Sequence, residues 1–115
     1  MKQRVLVMNG QRLLETEKKG QWEVTKVERA GNLKPGLYDL YLADPVDKAQ
    51  KYAGMIIHTD KEYVYQQQGE EVVRHSRSDF DTAPEIGALK SISYDAQNRA
   101  QVNTATVSLS RGMTR

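Results

Sequence analysis

YAGMIIHTDKEYVYQQQGEEVVRH, residues Tyr52 to His75, decides how this chain is read. Its apolar side chains recur with a period of two, the mark of extended backbone. Residues 52–58 read as one strand, Thr59-Asp60-Lys61 as a turn and 62–68 as a second strand. Gly69 makes the next turn and 71–75 the third strand. Two tight turns between three strands define an antiparallel β-meander.

Toward the N-terminus, Val5 to Met8 is apolar and β-rich and runs into Asn9-Gly10. Asn-Gly is a strong hairpin signal because both positions must accept a positive φ. Residues 11–17 return as a strand, with one turn of helix over Leu13 to Lys18 as the alternative; Lys18-Lys19-Gly20 turns again, and 21–27 alternates around Trp22 and Val24. Residues 30–36 form a loop whose Pro35-Gly36 pair suits a type II turn. Residues 37–43 read as a strand buried on both faces, broken by Asp44-Pro45. Toward the C-terminus, 76–87 is a loop carrying Phe80 and Pro84. Residues 88–95 and 99–109 are strands joined by Ala96-Gln97-Asn98, and 110–115 is a disordered basic tail. The expected fold is all-β. It is a small antiparallel barrel or sandwich of about seven to eight short strands with a central three-strand meander, and an SH3-like barrel is one closed form of it.

The composition narrows the function classes. The chain has 115 residues, 38% of them hydrophobic, no Cys and a single Trp. One domain with a thin core and a wet surface is expected. Without cysteine there is no disulfide framework, thiolate metal cage or cysteine nucleophile. No apolar run approaches the ~20 residues of a membrane span, and the apolar start at Val5 to Met8 is shorter than a secretion-signal core of ~7–15 residues. A cytoplasmic protein without membrane insertion is expected. The formal net charge of +2 hides an asymmetry. Residues 13–95 hold all 15 acids and 11 of the 17 bases. Lys2, Arg4 and Arg12 lie at one end, and Arg99, Arg111 and Arg115 at the other. Basic ends either touch phosphate or keep the protein soluble, and the second reading is the commoner one.

The residues that carry chemistry are few. His58 and His75 are the two histidines, each at a strand end in the meander. With Asp60 or Asp79 they are the candidates for a metal site, which wants at least three ligands. The plainer reading has them hydrogen-bonded within the strands, and no metal or cofactor is expected. Ser76, Ser78, His75 and Asp79 are neighbours in sequence, but adjacent residues of an extended chain face opposite ways. No phosphate-binding loop, dinucleotide fingerprint, nucleophile elbow or zinc-protease motif is present. No catalytic residue is assigned, and an enzyme is not expected. Tyr63 and Tyr65 share a strand face near Arg74 and Arg77, a pattern that can stack bases. Asp60, Glu62, Glu70 and Glu71 crowd the same region and repel phosphate.

The meander carries a resemblance. Tyr52-Ala53-Gly54-Met55-Ile56-Ile57-His58-Thr59-Asp60, then Tyr63-Val64-Tyr65-Gln66-Gln67-Gln68-Gly69, then Val72-Val73-Arg74-His75 and Ser76-Arg77-Ser78-Asp79-Phe80-Asp81 resemble the KfrB domain. Leu33-Lys34-Pro35-Gly36-Leu37-Tyr38-Asp39-Leu40-Tyr41 and Met8-Asn9-Gly10-Gln11-Arg12 extend the similarity over about residues 5–95. The resemblance implies a single KfrB-like domain over 1–109. It implies a place among plasmid maintenance and transfer functions, and no established catalytic residues. It points to Tyr52, Gly54, His58, Gln66, Gly69 and His75. Read physically, Gly54 within a strand marks a bulge or the close approach of another backbone. Gln66 and His75, if buried, must be hydrogen-bonded. The alternative is that Tyr52, Tyr65, Gln66 and His75 line a recognition groove. The candidate binding residues are therefore Tyr52, Gly54, His58, Tyr65, Gln66, His75 and Arg77. The expected function is a non-enzymatic protein-interaction module acting in plasmid stability, partition or conjugation, with a plasmid-encoded protein as partner. The alternative is a nucleic-acid-binding accessory β-barrel.

Overall fold

The computed structural model describes residues 2–105. The expected end of the last strand at Leu109 and the expected tail at 110–115 lie outside them. The first hairpin forms as the turn chemistry dictates. β1 (Gln3–Met8) and β2 (Gln11–Lys18) pair antiparallel across Asn9-Gly10, whose φ values are 52° and 75°. Lys19-Gly20 turns in the same way into β3 (Gln21–Arg29). β4 (Gly36–Tyr38) pairs with the other side of β1, giving a four-stranded sheet of order β3-β2-β1-β4.

The stretch 37–43 is not the doubly buried strand expected. After β4 the chain enters a 3₁₀ turn at Leu40–Leu42, closed by Leu42 N–H to Asp39 C=O at 3.1 Å. Leu40 is buried, whereas Leu37, Tyr41 and Leu42 are exposed. The turn carries the chain from one sheet to the other, a change of direction that a continuous strand cannot make. Asp44-Pro45 does not simply break a strand. It forms β5 (Asp44–Pro45), which pairs parallel with the meander's last strand. Pro35-Gly36 is not the reversal either, since Gly36 already pairs with Val7. The chain turns earlier, where Leu33 N–H donates to Ala30 C=O at 3.1 Å.

The meander is present as read: β6 (Tyr52–Thr59), β7 (Tyr63–Gln68) and β8 (Glu71–Ser76). β9 (Leu89–Tyr94) pairs with the free side of β6, and β10 (Ala100–Thr104) pairs with β9. The second sheet has the order β10-β9-β6-β7-β8-β5. The two sheets make a sandwich-like, all-β arrangement and do not close into a barrel. Ten strands rather than seven or eight are found among the described residues, in part because residues 36–45 form two short ones, β4 and β5, around the 3₁₀ turn.

The six-stranded sheet is covered on both faces. Val5, Val7, Leu33, Tyr38, Leu40, Ile57 and Tyr65 fill the space between the sheets. On the far face Ile56, Val64, Phe80 and Ile92 form a second core. The loop 76–87 lies over that face and supplies Phe80, which is 4% exposed.

Candidate functional site

The second core contains a chain of polar groups. Gln66 on β7 is fully buried. Its amide nitrogen donates to the carbonyls of Lys90 at 2.9 Å and Gly54 at 3.2 Å, with Tyr52 at 3.5 Å. Those carbonyls fix which end of the amide is nitrogen. Its oxygen, 2.8 Å from His75 Nε2, is therefore an acceptor, so Nε2 carries the hydrogen. In a neutral ring Nδ1 is then the acceptor, and Tyr94 donates its hydroxyl hydrogen to it at 2.6 Å. One hydrogen-bonded line thus joins β6, β9, β7 and β8.

Aromatic rings wall in this line. Tyr52 and Phe80 stand edge-on to the His75 ring, each with centroids 5.7 Å away, and Tyr94 stacks on it at 5.9 Å. Burial lowers the His75 pKa to about 4, against a raising influence from Asp79. Burial also raises the pKa of the Tyr94 hydroxyl, with Asp79 adding to the effect. His75 is therefore a neutral structural link at neutral pH.

Gly54 is required by close approach. A Cβ built on it falls 1.7 Å from the Gln67 carbonyl oxygen, so any side chain forces two backbones apart. The strand irregularity lies elsewhere. Ile56 faces Gln66 while His58 faces Tyr65, which leaves Ile57 as the extra residue of a β-bulge. The bulge moves His58 to the face opposite His75. The two histidines therefore share no site. Among the described residues no group of three or more His, Cys, Asp or Glu is placed to hold a metal ion.

On its own face His58 is 6% exposed and meets Arg12, whose Nη1 lies 3.3 Å from Nδ1. Burial, then the charge of Arg12, with Lys26 adding, outweigh Asp60 and lower the His58 pKa to about 4. Arg12 also pairs with Glu28 of β3. The Tyr65 ring lies tilted against His58 at 6.0 Å and Tyr63 at 5.9 Å, and both tyrosines pack against the inter-sheet core. Burial raises the Tyr65 pKa to about 12. Arg77 lies apart from them and donates to the Phe80 carbonyl at 3.1 Å, tying down the covering loop. Gly69 takes the β7–β8 turn with φ 64°.

The candidate residues therefore separate. Tyr52, Gly54, Gln66 and His75 meet in the buried line, and Arg77 holds its cover. His58 and Tyr65 belong to the space between the sheets. Sequence reading missed Tyr94, Arg12 and Glu28. Strand parity contained a signal for two of them. The Asn9-Gly10 hairpin sets Arg12 opposite inward-facing Val7, and Tyr94 shares a face with Ile92.

Fold and site together define a two-sheet β protein stitched by an internal Gln–His–Tyr relay. Residues 51–104 match the model of the family described as the KfrB Domain. The match covers β6 to β10 with the covering loop, a narrower span than the resemblance read over 5–95. The chain is also 32% identical over 94 residues to a protein of Escherichia coli called Protein TraB. That alignment takes in 79% of this chain and 64% of the relative, so the chain spans less than two thirds of the relative's length. Together these findings support a plasmid-related role. Among the described residues no helix is long and apolar enough to cross a membrane.

Proposed function

We propose that the chain is a non-enzymatic interaction module acting in plasmid maintenance or conjugative transfer by binding another plasmid-encoded protein. The observation that carries this reading is the outer face of the four-stranded sheet. Leu37, Leu6, Leu13 and Val27 stand directly opposite one another across β4, β1, β2 and β3. Such cross-strand neighbours share a face, here the face turned away from the core. A bulge at Thr25 brings Val24 onto it as well, because Val24 pairs with Glu15 and Lys26 with Leu14. Val24, Val27 and Leu37 are 50%, 53% and 48% exposed.

The row runs out on β3, a nine-residue strand at the edge of its sheet. An edge of that length with apolar side chains on one face is a template for strand addition. The partner it fits is an extended segment with apolar residues at alternate positions, continuing the row, and polar residues between them. Its capture is tested by pull-down from cells carrying the parent plasmid, with wild type beside a V24K/V27K double variant. Wild type retains a plasmid-encoded protein that the variant loses. Recovery of no plasmid-encoded protein by wild type refutes the reading.

Nucleic-acid binding has less support. Tyr63 and Tyr65 pack into the core rather than offering stacking faces. Arg4, Arg12 and Arg99 of the basic ends are each paired with a carboxylate, of Glu15, Glu28 and Asp81.

A further inference from the structure

A second surface feature lies away from both the outer row and the buried relay. Between the β2–β3 ribbon and the loop before β9 is an open cleft of about 610 Å³. Arg12, Lys26, Arg29 and His58 line one side, and Pro84 and Ile86 line the other. Arg12 is unusual there. Its side chain is 6% exposed, yet its Nε, buried from solvent, has no hydrogen-bond partner. A buried donor left unpaired is destabilising, and native structures rarely leave one without a reason. The guanidinium is already partly occupied by a carboxylate from Glu28, which lies on the edge strand and also sits 3.6 Å from Lys26. The Glu28 side chain is 40% exposed, so it can turn out into water.

Counting charge selects the ligand. Arg12, Lys26 and Arg29 are three cations, and Glu28 and Glu85 are two anions around the same space. The single positive charge left over suits one carboxylate. The apolar wall of Ala83, Pro84 and Ile86 suits an aliphatic group attached to that carboxylate.

We infer that this cleft binds a carboxylate carried on an apolar group about one residue in size, with Arg12 as its anchor and Glu28 as an internal competitor. The incoming carboxylate takes the place of Glu28 on Arg12 and Lys26. Arg29 adds charge at the rim, and the aliphatic group lies on Pro84 and Ile86. The site goes beyond the partner-binding reading and does not depend on it.

The test is an NMR titration of the full chain with N-acetyl-leucine and, in parallel, N-acetyl-leucine amide. The acid moves signals of His58, Thr59 and residues 83–86 with a Kd on the order of 1 mM, and the amide does not. E28Q removes the competitor and tightens the acid about tenfold, a gain that misfolding cannot mimic. K26Q and R29Q, both on exposed β3, weaken it severalfold with unchanged folding. R12Q abolishes binding if it folds, and the other three variants decide the matter if it does not. Equal response to acid and amide, or no tightening in E28Q, overturns the proposal. Two further probes find the source of the group, a tetrapeptide ending in a free Leu carboxylate and its amidated form carrying an internal Glu. Binding of either upholds the site and says whether a chain end or an acidic side chain fills it.

Discussion

The amide of Gln66 reaches three backbone carbonyls through its nitrogen and His75 through its oxygen. His75 in turn has no exposed surface, and His58 has almost none. This has a consequence for stability. Both histidines are held at about 4, below the ordinary 6.5, and burial is the first cause in each case. Below pH ~6.5 the unfolded chain takes up protons that the folded chain refuses. The stability from the two neutral rings is therefore fully present above about pH 6.5. It is lost as pH falls toward about 4, at up to roughly 1.4 kcal/mol per pH unit per histidine. Urea midpoints hold level from pH 7.5 to about 6.5 and fall from there to pH 4.5, and H75F flattens part of that fall. A profile with no slope between pH 6.5 and 5 contradicts the buried neutral rings. At this scale the sequence was partly legible. A Gln and a His in strands of one meander must be paired if buried, and they are. Strand parity put Tyr94 on the face of Ile92, but its pairing with His75, 19 residues away on another strand, was out of reach.

At the scale of elements, the local turns were readable because their chemistry is local. Asn9-Gly10, Lys19-Gly20 and Gly69 all take the positive φ that their residue types allow. The bulges at Thr25 and Ile57 were not readable. Each is set by what the strand must present to a neighbouring sheet, and neither carries a glycine or proline to mark it. Each also reverses strand parity, which is why His58 was placed beside His75. The loop over the far face belongs to this scale too. Phe80 seals His75 from solvent, so F80A costs about 3–5 kcal/mol through the lost ring and the space it leaves. The same change lets water reach His75, and its pKa, followed by NMR of the ring signals, rises from about 4 toward 6.5. A pKa that stays low in F80A shows that Phe80 is not the seal.

For the whole molecule, the family match and the folding unit differ. The matched segment, 51–104, takes in five strands of the six-stranded sheet and its covering loop. Its far face is complete, but its near face is not. Ile57 and Tyr65 are buried against Val5, Val7, Tyr38 and Leu40, all from outside the match. A fragment of residues 51–104 therefore exposes an apolar face and aggregates or stays loosely packed. Co-expression with residues 1–50 restores a dispersed spectrum. Cooperative unfolding of the fragment alone contradicts this and makes the first sheet an accessory. The role in maintenance or transfer remains with the first sheet in our proposal, since the outer row and the free edge of β3 lie there.

The sequence by itself determined the all-β class, the meander, the hairpin turns and the need to satisfy Gln66 and His75. These follow from period-two alternation, turn chemistry and the high free energy of an unpaired buried polar group. Only the tertiary structure decided that the chain forms two open sheets rather than a barrel. It also decided that Leu40–Leu42 bends between them, and that Arg12, paired with Glu28, meets His58 across the gap. Alternation says which residues share a face of one strand. It does not say which sheet that face will meet, because that depends on contacts between residues far apart in the chain and on bulges that exist only to make those contacts fit.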